Sequence, residues 1–215
     1  QITNDHLFNY YQAMINTSPM DIFVVGDVDQ DQIMNTVKQI FGIKRSKIRS
    51  IPKEVVKRTA SGEKYYLEKL NVTQGKLSLG YRTNTEYHSP SYVPLVVFNS
   101  ILGGGTHSKL FINIREKNSL AYYIFSRLEK FKGLMIISSG IEIDNYQRAL
   151  DIIKHQVSEV RQGNISDEEL IFSKKALETQ LKNVTDSPAQ LMDYYLGNSI
   201  KGVDMSISSF IDRIK

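Results

Sequence analysis

The 215-residue chain contains no cysteine and no tryptophan. Without thiols it has no disulfide scaffold, no thiolate zinc site, no iron–sulfur cluster and no cysteine nucleophile. The lack is compatible with a reducing compartment. No apolar run reaches the ~18 residues that a membrane helix needs. Gln1 to Asp5 is polar and offers no apolar core of a signal peptide. Histidine is scarce: His6, His88, His107 and His155 are the only four. Charge is nearly balanced, 27 basic against 23 acidic residues for a net +4. That excess is too small to argue for nucleic acid. Hydrophobic residues make up 41% and charged ones 23%, which excludes a disordered or fibrous chain.

What is present is a succession of periodic segments. Thr3 to Ile15 reads as a capped helix with Leu7, Tyr10, Tyr11 and Met14 on one face. Met20 to Val28 holds the apolar run Ile22-Phe23-Val24-Val25 and reads as a buried strand. Asp29 or Asp31 then caps a helix that carries Ile33, Met34, Val37, Ile40 and Phe41, with Gly42 expected to end it at positive φ. A lone strand leaves its backbone edges unsatisfied, so this piece needs strands from elsewhere. Lys44, Arg45, Lys47, Arg49, Lys53, Lys57 and Arg58 mark a basic linker over 43–62. No aromatic side chain is interleaved with them, as a single-strand nucleic-acid groove requires.

From Glu63 onward the pattern is two strands, two helices, two strands and a run of helices. Glu63–Leu70 and Gln74–Arg82 alternate and are expected to pair with each other. Ser89-Pro90 opens an apolar helix through Tyr92 to Leu102, which Gly103-Gly104-Gly105 breaks. A second helix is expected over Ser108–Glu116. Leu120–Leu128 and Leu134–Ile143 are strands joined through Lys132-Gly133. Asp144 caps a long helix ending at Gly163, and Ser166-Asp167-Glu168-Glu169 is a capping box for the next. Helices near Pro188–Ile200 and from Ser206 follow. The order predicts an α+β two-layer fold, a mostly antiparallel sheet with helices on one face.

The stretch from Phe98 to Phe111, with Gly103-Gly104-Gly105 and Ser108-Lys109-Leu110, leads into Arg115-Glu116-Lys117 and then Leu120-Ala121-Tyr122. This resembles the C-terminal domain of the pitrilysin-type (M16) zinc metallopeptidases. Val25-Gly26-Asp27, Val72-Thr73-Gln74 and the turn from Gly163 to Glu169 resemble that family's pattern in the same order. The resemblance implies that residues 1–42 end one domain, 43–62 link, and 63–215 form the next. Gln1 at the start and the helical pattern running to Lys215 make both ends look cut, so the chain is expected to be a fragment of a longer protein, bacterial and cytoplasmic. The resemblance implies that the chain, as part of a zinc peptidase or of its non-catalytic subunit, forms one wall of a peptide-binding chamber with a second half or subunit of the same kind, as a homo- or heterodimer. In the family zinc sits on His-x-x-Glu-His in an N-terminal domain. No histidine here begins that motif, so zinc is expected only in a missing N-terminal part or in a partner chain, and neither a nucleic-acid nor a membrane partner is expected.

Arg115 and Tyr122 are the expected substrate-binding residues, because the family places an Arg and a Tyr at this spacing against the substrate. An Arg donates a rigid fork of hydrogen bonds and a Tyr adds one. Without the resemblance, the plainer reading pairs Arg115 with a local carboxylate and puts Tyr122 in the core. Gly103, Gly104 and Gly105 are read either as a tight turn needing positive φ or as a substrate-handling loop. A phosphate loop is excluded, since no Gly-Lys-Ser/Thr follows. His107 is expected to be exposed and inert. Leu120-Ala121-Tyr122-Tyr123 after Ser119 most resembles bacterial members encoded beside a second, so the chain is expected to be the zinc-less partner. The alternative is a purely structural subunit with the same fold.

Overall fold

The computed structural model describes residues 2–50, 52, 55–56 and 60–215. Part of the basic linker (Ile51, Lys53, Glu54, Lys57, Arg58 and Thr59) lies outside them.

Helix α1, Asn4–Thr17, is capped by the Thr3 side chain. Helix α2, Gln30–Phe41, is capped by Asp29. Neither helix buries a single residue. Between them, Met20–Val28 is not a strand but irregular backbone. Among the described residues no neighbouring strand satisfies its amides, so its β-branched residues stay exposed, Val24 at 49%. Gly42 ends α2 at φ −69°, not in the left-handed region. The linker does not dangle at its start. The Arg45 guanidinium donates to the Ser18 carbonyl at 2.9 Å, and the Arg49 amide donates to the Thr17 carbonyl at 2.7 Å.

The sheet has three strands, β1 (Gly75–Arg82), β2 (Ala121–Glu129) and β3 (Leu134–Ile141), in the order β1-β3-β2 and antiparallel throughout. Glu63–Leu70 is irregular and exposed, so the expected pairing with the following strand does not form. β1 pairs instead with β3, Gly75 opposite Ile141 and Arg82 opposite Leu134. The difference lies in what each partner offers. The 63–70 segment exposes Tyr65, Tyr66 and Leu67, whereas β3 brings Met135, Ile137 and Ile141 to the covered face.

Helices cover that face only. α3 (Tyr92–Gly103), a short π-helical turn (Phe111–Glu116) and α4 (Tyr146–Gln162) pack Ile101, Leu102, Ile114, Leu150 and Ile153 onto Leu77, Ile124 and Ile137. Ser89-Pro90-Ser91 makes a turn, and α3 starts after it. Ser108–Glu116 was expected to be an ordinary helix, yet most of it is wound as the π turn. β3 stops at Ile141, and a 3₁₀ turn over Ile143–Asn145 leads into α4, so Asn145 rather than Asp144 holds the N-cap position.

The remaining helices follow their caps. Gly163 closes α4 at φ +83°. Ser166 and Glu169 form the reciprocal capping box of α5, Asp167–Thr185. α6 is Pro188–Lys201 and α7 is Ile207–Ile214. They close a second core around Tyr87, Tyr92, Val93, Met205, Phe210 and Ile214. Tyr87 meets Tyr92 edge-on at 4.7 Å, and Tyr194 donates its hydroxyl to the Met205 carbonyl. The result is the two-layer α+β architecture read from the segment order.

Candidate functional site

Two local irregularities bracket the junction from the π turn to β2. The π turn ends in Arg115-Glu116, and a left-handed Ser119 (φ +51°) reverses the chain. The Ser119 amide donates to the Arg115 carbonyl and the Leu120 amide to the Ile114 carbonyl, at 3.1 and 3.0 Å. Polar groups freed at the helix end are thereby satisfied. β2 then begins with a bulge. Ala121 pairs with Ile141 and Tyr123 with Gly140, so Tyr122 is the extra residue. A bulge turns consecutive side chains to one side. Tyr122 and Tyr123 both face outward, between buried Ala121 and Ile124.

The outcome is one cleft of about 390 Å³ lined by Arg115, Glu116, Ser119, Leu120, Ala121, Tyr122 and Glu142. Arg115 and Tyr122 thus meet in one concavity. The plainer reading of each fails. Among the described residues Arg115 pairs with no carboxylate; its guanidinium lies 4.9 Å above the Phe111 ring. Tyr122 is 60% exposed, far from a core position. Glu142 enters the cleft because the antiparallel register sets the end of β3 beside the start of β2. No sequence pattern marked it, since it is 20 positions from Tyr122 and its neighbourhood is set by strand pairing.

Beyond the bulge the open sheet face continues. Tyr123 and Phe125 stack with ring centroids 6.0 Å apart. The Tyr123 ring covers Gly140, where any Cβ would meet that ring at 2.5 Å.

The glycine triplet lies elsewhere and has a different reason. None of Gly103, Gly104 and Gly105 has positive φ. The expectation of a left-handed turn is corrected: these glycines answer crowding. A Cβ on Gly103 would stand 2.6 Å from the Ser126 backbone nitrogen, and one on Gly104 2.6 Å from the Ser100 Cα. The triplet does not line the Arg115–Tyr122 cleft. His107, just after it, is half-buried rather than exposed. Its Nε2 lies 3.3 Å from the Ser100 hydroxyl, and burial pushes its pKa below the ordinary value. It borders a separate shallow groove along α5 with Phe172, Lys175 and Ala176.

Residues 1–177 match the family described as "Peptidase M16 inactive domain". The chain belongs to the pitrilysin-type (M16) peptidase family. It is 35% identical over 214 residues to the "Probable inactive metalloprotease YmfF" of Bacillus subtilis (strain 168), covering all of this chain and 50% of that one. It is 26% identical to the "Uncharacterized zinc protease ML0855" of Mycobacterium leprae, over 82% of this chain and 40% of the relative. Among solved structures, a conserved protein from Enterococcus faecalis V583 superposes with a TM-score of 0.76 at 31% identity, over 100% of this chain and 50% of that one. A peptidase M16 inactive domain from Pseudomonas fluorescens shares the fold at TM-score 0.74 and 18% identity, over 99% and 51%. This M16 chain therefore spans about half the length of the relatives it matches.

The family's zinc does not fit the residues described. Among them no three His, Asp or Glu side chains converge on a point that would hold a metal. His88 pairs with Glu86, and His107 with Ser100. No helix of the described residues is long and apolar enough to cross a membrane.

Proposed function

We propose that this chain forms one wall of a peptide-binding chamber, in which Arg115 and Tyr122 hold the main chain of an extended peptide. The observation that carries the reading is the shared cleft, with a guanidinium unpaired to any described carboxylate and a phenol lifted out by a bulge. A charged donor to a peptide carbonyl contributes about 1.5–3 kcal/mol. Both groups stabilise negative charge on that oxygen if a second half of the assembly attacks the peptide. Membership of a peptidase family supports the same reading.

In this reading hydrolysis is supplied from outside the chain, by a missing N-terminal part or a partner carrying zinc. Residues 1–42 would complete a preceding domain, with 43–62 as the linker. In support, α1 and α2 bury nothing, and Ile22, Val24 and Val25 are exposed, with no covering layer among the described residues. A second half of the same fold would face the cleft, and the bacterial cytoplasm is the proposed compartment.

The test uses the full-length parent protein with its partner. Arg115→Ala and Tyr122→Phe are expected to lower peptide turnover at least tenfold, with assembly unchanged by size-exclusion chromatography. Unchanged turnover in both variants would favour the structural-subunit reading, in which the two residues are vestigial.

A further inference from the structure

Side chains tie the π turn to α4 at both ends. Near its start, the Asn113 side-chain amide donates to the Lys109 carbonyl at 2.9 Å and to the side-chain carbonyl of Gln156 at 3.2 Å, and Gln156 is buried on α4. At its end, the Lys117 amide donates five residues back to the Ile112 carbonyl. The next acceptor in that register is the Asn113 carbonyl, and the Asn118 side-chain amide takes it at 2.7 Å. The Oδ1 of Asn118 accepts in turn from the Arg148 guanidinium at 2.7 Å, and Arg148 also belongs to α4. Asn118 is thus fixed on one side by the turn that it ends and on the other by a charged donor from a separate helix.

What Asn118 pins is the middle of the reversal Lys117-Asn118-Ser119. On one side of it stands Arg115, whose carbonyl accepts from the Ser119 amide. On the other, Leu120 leads into the bulge at Tyr122. A serine keeps the left-handed backbone of Ser119 only where its surroundings over-determine it, and the two bonds of Asn118 supply that constraint. Neither Asn118 nor Arg148 lines the cleft, so both act on it from behind.

Resting on the chamber reading above, we infer that Asn118, backed by Arg148, is a positioning residue for peptide binding. It fixes the spacing between the Arg115 guanidinium and the Tyr122 phenol, with α4 as the rigid support.

The experiment measures binding of a fluorescein-labelled heptapeptide with uncharged side chains to the full-length parent protein with its partner, by fluorescence anisotropy. Arg115→Ala is expected to weaken binding about tenfold. Asn118→Ala should weaken it about fivefold while Arg115 is present, and not at all in the Arg115→Ala background, because a spacing matters only while both groups are there. Arg148→Ala removes an exposed side chain, so it keeps the test open if Asn118→Ala fails to fold, and it should reproduce the same coupled loss. Arg148→Lys, which keeps a charged donor, should restore most of the affinity. An equal loss in both backgrounds, or wild-type affinity in Asn118→Ala and Arg148→Ala while Arg115→Ala binds weakly, overturns the positioning role and spares the chamber reading. Wild-type affinity in Arg115→Ala, or no binding by the unaltered protein, overturns both.

Discussion

The Ser119 amide closes a hydrogen bond onto the Arg115 carbonyl from a left-handed backbone, φ +51°. That single reversal carries the chain from the π turn to the β2 bulge, and so sets Arg115 and Tyr122 around one cleft. A non-glycine residue in this region costs of order 1 kcal/mol. Ser119→Gly should therefore be neutral or slightly stabilising. Ser119→Val should lose about 1–2 kcal/mol, because a β-branched side chain tolerates positive φ poorly. Urea melts of the full protein read both. Peptide affinity should fall with the valine variant and hold with the glycine one.

Gly103 is a packing device. Asn99 and Ser126 clamp α3 to β2 by reciprocal hydrogen bonds, amide to carbonyl at 3.3 Å and hydroxyl to carbonyl at 3.2 Å. The glycine one turn on lets the backbones approach. Gly103→Ala would push a methyl onto the strand's own nitrogen, which cannot give way as a side chain does. A loss of about 1–3 kcal/mol is expected in denaturant unfolding. An unchanged midpoint would mean that α3 slides freely on β2.

Tyr87 ties the segment before α3 to α6. Its hydroxyl donates to the Asn198 side-chain carbonyl at 2.5 Å, and the Asn198 amide donates onward to the Met205 carbonyl at 2.8 Å. Tyr87→Phe leaves a buried acceptor unpaired, at a cost of about 1–3 kcal/mol. Burial pushes the Tyr87 phenol up to about 12. Its contribution is intact below pH 10, where both folded and unfolded forms keep the proton. It is lost as pH climbs from 10 toward 12, because the unfolded chain ionises first. Alkaline titration of tyrosinate absorbance should show this late phenol in the wild type and its loss in the variant.

His107 acts at the other end of the scale. Burial, the larger effect, holds its pKa below the ordinary 6.5, partly offset by hydrogen bonding at Ser100. The folded state therefore keeps the ring neutral where the unfolded chain binds a proton. Stability is undiminished above about pH 6.5 and falls as pH drops through that value. Unfolding midpoints at pH 7.5 and pH 5 should differ less in His107→Gln than in the wild type. An equal drop in both proteins would place the acid sensitivity elsewhere.

Caps, turns and amphipathic periods were legible from the residues, because each is a local matter of a few neighbouring positions. Thr3, Asp29, the Ser166–Glu169 box and Gly163 all sit where their side chains or φ freedom dictate. The π winding of Phe111–Glu116 was not legible, since its apolar spacing also suits an ordinary helix. The strand readings of Met20–Val28 and Glu63–Leu70 failed for the opposite reason. Apolar or alternating composition permits a strand, but only a partner's backbone makes one.

The sequence by itself determined most of the helices, the three strands that do form, the two-layer class and the family, because caps, motif order and hydrophobic period survive without knowledge of contacts. Tertiary structure alone decided the pairing of β1 with β3, the bulge at Tyr122 and the arrival of Glu142 beside Arg115. These depend on which distant backbones exchange hydrogen bonds, and strand register is a property of two segments that neither one encodes alone.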